Sequence, residues 1–213
     1  MNKAEARESI YRELTPLFPG FRLKKSDEGF VRAIPGGTDK VLVPLIDYNP
    51  IFIFSLIMGI RNEEVERIFN LFSGSPPKYH AMTLTTMTPL DFFYPGQREK
   101  KEFKVSTPEE IRNAARELSK TNNAIIDFFN QHQDVKSLDA SINSGAAGFD
   151  QSSHPYRAMH AIILAHLANN PNFESLVSGF QEEARQWHEA DRNKFDRLVS
   201  YLRGHSTAKD GPT

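Results

Sequence analysis

Between residues 3 and 18 the apolar positions Ile10, Tyr11, Leu14, Leu17 and Phe18 recur three and four apart. That is the period of one helix face, and "FPG" at Phe18 to Gly20 marks its end. From Phe21 the period falls to two. "FRLKK" (Phe21–Lys25), "FVRAIP" (Phe30–Pro35), "VLVPLI" (Val41–Ile46) and "NPIFIFSLIMGI" (Asn49–Ile60) are joined by "SDEG", "PGGTDK" and "DYNP". Short Gly, Asp, Asn and Pro links of this kind are hairpin chemistry and predict an antiparallel meander. Pro44 has no N–H for a ladder, so its strand is expected at an edge or at a bulge.

The run from Pro50 to Ile60 is the most apolar in the chain and stops at Arg61, Glu63 and Glu64. It falls short of the roughly 20 apolar residues that a membrane-spanning helix needs. Its β-branched and aromatic content disfavours helix. With both alternating faces apolar, it reads as a core strand covered on both sides.

Helical spacing returns at 63–72, where Asn62 is the expected cap, Glu63, Glu64 and Glu66 fill the first turn, and Val65, Ile68, Phe69 and Phe72 form the apolar face. Thr-rich "YHAMTLTTM" (Tyr79–Met87) and "EFKV" (Glu102–Val105) read as further strands. "STPEE" opens a helix predicted to run from Thr107 to Gln133, with Thr107 as cap and Glu110 completing a capping box. Its stripe is Ile111, Ala115, Leu118, Ile125, Ile126, Phe128 and Phe129, with Asn122 set among them as a buried amide. "SINSGAAGFDQSS" (Ser141–Ser153) reads as a flexible connection. Helices follow at 154–169 and 172–203, the second extending past the body of the protein by Asp191. The expected fold is α+β: an antiparallel meander sheet of about five strands packed by helices, with a helical C-terminal part. The expected divisions are a sheet domain over 1–140, a helical pair over 154–203 packed on it, and a disordered tail over 204–213.

Charge narrows the partners. Lys and Arg number 26, Asp and Glu 27, and the net charge is −1, without the basic excess that displaces counterions from phosphates. Nucleic acid is therefore not the expected partner. No cysteine is present, which removes disulfides, thiolate metal sites and cysteine nucleophiles. The N-terminal "MNKAEARESIYREL" lacks the apolar core of a signal peptide, so a cytoplasmic protein without membrane association is expected.

Candidate chemistry is sparse. His154, His160 and His166 are spaced by six residues, not by the three or four that place two ligands on one helix face. Half-buried histidines, each bonded to a neighbouring element, are the simpler expectation. In "WHEAD", His188 and Asp191 are three apart and fall in a charged segment expected to be solvated. "GAAGFD" and "IPGGTDK" lack the strand, glycine turn and helix order of a phosphate loop, and no Gly-x-Ser-x-Gly elbow occurs. No cofactor and no catalytic or metal-ligating residue is assigned. A hydrolytic or metal-assisted site remains the alternative. It would be assembled across the fold from His154, His160, His166 or His188 with carboxylates.

The surface candidate is "DFFYPGQREKKEFK" (Asp91–Lys104). Phe92, Phe93 and Tyr94 are consecutive, so at least one faces away from a core, and Arg98, Lys100 and Lys101 follow. Aromatic residues beside basic ones anchor protein partners and also stack nucleic-acid bases. The order of elements, from the N-terminal helix through "GFRLKKSDEGFVRAI" and "FIFSLIMGI" to "AMHAIILAHLANNPNFESLVSGF", resembles the uncharacterised bacterial proteins of the domain of unknown function 4304 family. That resemblance implies a soluble bacterial α+β protein and carries over no site residue. The leading expectation is a non-catalytic protein-interaction module, of the kind an immunity protein represents, that contacts a protein partner through Phe92, Phe93, Tyr94, Arg98, Lys100 and Lys101.

Overall fold

The computed structural model describes residues 1–94, 101–144 and 154–205, with the backbone alone at His154. The architecture is α+β, as the alternation of spacings predicts. The chain forms two compact units: residues 1–60 with 87–132, and residues 61–86 with 133–213.

In the first unit, helix α1 (Lys3–Leu14) is closed at its start by Asn2, whose side chain accepts from the Glu5 N–H while Glu5 accepts from the Asn2 N–H. Strands β1 (Arg22–Lys24), β2 (Gly29–Ile34) and β3 (Gly37–Leu42) follow as consecutive antiparallel neighbours. Gly29 has no substitute: a Cβ there would lie 2.1 Å from the Val41 carbonyl oxygen across the ladder. The meander stops after β3, because Pro44 cannot donate to a further ladder. β4 (Leu45–Tyr48) and β5 (Ile51–Phe54) instead pair with each other, and β8 (Phe103–Val105) joins β5 in a second, three-stranded sheet of order β4-β5-β8. β6 (Ile57–Asn62) returns beside β3, and β7 (Thr86–Pro89) completes a five-stranded antiparallel sheet of order β1-β2-β3-β6-β7.

The apolar run after Asn49 is thus two strands in two sheets, not one. Its alternation persists through the break: Phe52, Phe54, Leu56, Met58 and Ile60 are all within 1% of full burial. At Ser55 and Leu56 the chain changes sheet. There the Ser55 hydroxyl donates to the Lys101 carbonyl at 2.8 Å and the Leu90 N–H to the Leu56 carbonyl at 3.0 Å. The expectation of cover on both sides fails at the odd positions. Ile51 is 43% exposed and Ile53 is half-buried, because a small edge sheet covers one face only.

Helices α3 (Pro108–Leu118) and α4 (Asn122–Gln131) replace the single helix expected over 107–133. The Thr107 and Glu110 capping box is present at the start of α3. The break arises at Ser119 and Thr121, whose hydroxyls donate back to the carbonyls of Arg116 and Leu118 at 2.7 and 3.1 Å, a local alternative to helix continuation. Asn122 therefore opens α4 and does not lie in the middle of a stripe. Tyr11, Phe18, Phe30, Ile111, Leu118, Phe128 and Phe129 form much of this unit's core, each contributing about 1.5–3 kcal/mol by burial.

In the second unit, α2 (Glu63–Phe72) has the expected Asn62 cap, accepting from the Glu64 and Val65 N–H groups. Tyr79 to Met82 are a 3-10 turn, not the start of a strand. α5 (Val135–Asn143), capped by Asp134, was not anticipated and takes in Ser141 to Asn143 of the supposed connection. The rest of that connection, 145–153, lies outside the described residues, as do 206–213 of the supposed tail. α6 (His154–Leu167) is followed by α7 (Phe173–Glu183) and α8 (Glu189–Gly204). The long terminal helix is thus two. Trp187 is extended at the break and packs edge-on against the fully buried Phe195, with ring centroids 5.5 Å apart. Arg203 near the end of α8 is bidentate to Glu174 at the start of α7, at 3.2 and 2.6 Å. The helix folds back as an antiparallel pair and does not extend past the body. Among the described residues, no helix is long and apolar enough to cross a membrane.

Candidate functional site

Of the four candidate histidines, His160, His166 and His188 form no common site among the described residues, and the side chain of His154 lies outside them. Among the described residues, no group of three or more His, Asp or Glu side chains is placed to hold a metal ion. His188 precedes α8 without a side-chain cap bond, and Asp191 pairs with Lys194 at 2.9 Å. His166 stacks at 5.7 Å on Phe173 in an open cleft of about 380 Å³ shared with Asn170, Glu174 and Arg203. Burial lowers the His166 pKa, against a hydrogen bond with the His205 backbone that raises it.

His160 is different. It is 3% exposed, stacks on Phe69 at 4.1 Å, and places Nε2 3.0 Å from Oε1 of Glu66, which is fully buried. The separation is that of an ion pair, although the contact is not well aligned as a hydrogen bond. The Thr85 hydroxyl donates to the same carboxylate oxygen at 2.9 Å while accepting from the Asn62 N–H at 2.9 Å. Arg61 lies 3.9 Å from the second oxygen. Its guanidinium is bidentate to Glu63 and also donates to the carbonyls of His80 and Thr83 at 2.9 and 2.8 Å. Burial by itself would raise the Glu66 pKa, but His160, with hydrogen bonds from Thr83 and Thr85, holds it below the ordinary range. This buried network ties α2, α6 and the 80–85 segment together inside one unit. With both partners sealed from solvent, its geometry is that of a structural pair. The sequence signal was present but weak: Glu66 lies next to Phe69 on the helix wheel, at the border of the apolar stripe.

A second polar cluster joins α5 to α6. Asp139, 6% exposed, accepts from the Asn143 and Asn170 amides at 2.6 and 2.7 Å, and Asn143 also donates to the Ala161 carbonyl of α6 at 3.1 Å. In the first unit Asp39 is fully buried against Arg32 at 2.7 Å, and Arg32 also lies over the Phe21 ring at 4.9 Å. Burial pushes the Asp39 pKa up to about 6 despite Arg32.

Of the surface residues anticipated from the sequence, Phe92 is exposed while Phe93, Tyr94 and Lys101 are half-buried. Phe92 and Phe93 pack on Phe128 at 6.3 and 5.5 Å, and Phe92 keeps 38% of its surface exposed. The Tyr94 hydroxyl lies 3.4 Å from the Thr121 hydroxyl oxygen, within hydrogen-bonding distance. Lys101 pairs with Glu117 and sits over the Tyr94 and Phe103 rings at 4.7 and 5.3 Å. Arg98 and Lys100 lie outside the described residues.

The larger exposed apolar surface is elsewhere, on the outer face of the β4-β5-β8 sheet. Register pairs Ile46 with Ile53 and Tyr48 with Ile51, so all four project from one face, with Lys104 beside Ile53. Ile46 is 49%, Tyr48 63% and Ile51 43% exposed. On the opposite face Phe52, Phe54, Phe103 and Val105 are buried, while Asp47, on the edge strand β4 opposite Phe52, is exposed. Searches against protein-family models, curated proteins and solved structures find no match to this chain.

Proposed function

We propose that the protein acts by contact with a protein partner, and that the contact surface is the outer face of the β4-β5-β8 sheet. One observation carries this reading: Ile46, Tyr48, Ile51 and Ile53 form a continuous apolar surface on a sheet whose other face already buries Phe52, Phe54, Phe103 and Val105. Single exposed apolar residues are ordinary, but a contiguous group marks an interaction surface. A strand edge adds to it, since among the described residues β4 has a strand neighbour on one side only. The charge balance fits a protein partner better than a polyanion.

The test is site-specific photocrosslinking in the cells that make the protein. A crosslinker in place of Ile46, Tyr48 or Ile51 is expected to give one discrete adduct, and one in place of the exposed Lys120 none. The same adduct pattern at both places would refute the assignment.

A further inference from the structure

The geometry points to an extended segment of the partner, paired edge-on to β4, as the occupant of this surface. The inference rests on the contact reading and specifies its partner.

Area decides between a broad partner face and a strand. The sheet has strands of four, four and three residues, so at 3.4 Å per residue and 4.8 Å between strands its face covers roughly 200 Å². A stable face-to-face complex buries about 800 Å² per partner. The apolar face alone is too small for that. A strand added to β4 gains backbone hydrogen bonds as well, because every second N–H and C=O of an edge strand points away from its neighbour. Both ends of β4 are marked by proline, Pro44 before it and Pro50 after it, so the segment that can be paired is short.

The side chains define the sequence that fits. Alternate positions of the incoming strand continue the face of Ile46 and Tyr48, and call for Val, Ile or an aromatic residue. The position between them lies on the other face next to Asp47, which is exposed, accepts at Oδ1 from the Asn49 N–H and pairs with no basic side chain among the described residues. A Lys or Arg there meets this carboxylate. The occupant is therefore an extended segment of the pattern apolar, basic, apolar.

The probes are acetylated, amidated hexapeptides Thr-x-Lys-x-Thr-x with x set to Val, Ile, Phe or Tyr, titrated into the full chain and followed by amide shifts in nuclear magnetic resonance. Pairing is expected to shift the Leu45–Tyr48 amides and to be abolished by N-methylation of alternate peptide amides in one phase and not in the other. Asp47→Lys is expected to weaken binding about 2- to 5-fold, the range of a cross-strand charge pair. Replacing the peptide Lys by Glu is expected to restore binding to that variant. Binding that moves Ile46 and Tyr48 side-chain signals but ignores N-methylation overturns strand pairing and leaves the contact surface standing. Absence of binding by every probe at millimolar concentration also overturns strand pairing, and the crosslinking experiment then decides the contact reading on its own. A concentration-dependent dimer in which β4 amides shift without peptide assigns the edge to a second copy and overturns the inference as well.

Discussion

Replacing Glu66 by Leu leaves the Thr85 hydroxyl, the His160 ring and one side of Arg61 facing an apolar surface in a site closed to water. Breaking a buried pair from one side costs about 3–5 kcal/mol, because the surviving partner stays desolvated and uncompensated. His160→Phe keeps the stack on Phe69 but strips Glu66 of the ring nitrogen 3.0 Å from its carboxylate, and should cost about 3 kcal/mol by the same reasoning. The double variant Glu66→Leu/His160→Phe removes both polar partners together. It should recover about 2–3 kcal/mol relative to the sum of the single losses. Urea unfolding of the full chain measures this. Trp187 is the sole tryptophan and packs on Phe195 within the same unit as the pair, so its fluorescence reports the unit affected. Single and double variants that add within about 0.5 kcal/mol would show the two residues to be uncoupled and refute the pair. The acid dependence gives an independent check. Because the Glu66 pKa is depressed, its stabilisation is complete above the ordinary value of 4.5 and is lost as pH falls through the lower folded value. Glu66→Gln should flatten that acid limb.

Three further outcomes follow from the geometry. Gly29→Ala should destabilise the first unit by about 1–3 kcal/mol, the cost of overpacking, since the added carbon meets the Val41 backbone; denaturation followed by far-ultraviolet circular dichroism checks it. Asp39 should titrate near pH 6 in carboxyl-carbon resonance spectra. Its pKa is raised, so the stability it contributes is full below the ordinary value of 3.8 and lost as pH rises through about 6; a midpoint near 4 would contradict its burial. Ile46→Lys and Tyr48→Glu should leave stability within about 0.5 kcal/mol of the parent, as exposed substitutions do, while removing the crosslinked adduct.

Local chemistry by itself determined much of this protein. Thr107 with Glu110, and Asn62 with its acidic first turn, set helix starts that the fold keeps. The β-branched and aromatic run after Asn49 set strand in place of helix at Ile51–Phe54 and Ile57–Asn62, though with both faces apolar it did not set which one is buried. These survive because a cap or a strand propensity is satisfied within a few residues, whatever lies beyond. Tertiary structure decided the rest. Whether Phe52 and Met58 share a sheet depended on where a distant β8 could pair, and on Pro44 ending the meander. The turn at Trp187 depended on Phe195, eight residues onward, being reachable only if the helix folded back. The partner of Glu66 stands 94 residues away in sequence at His160, and the exposure of Tyr48 reflects that no element among the described residues covers it. A pairing between remote segments is an energy of their meeting, and neither segment carries it alone.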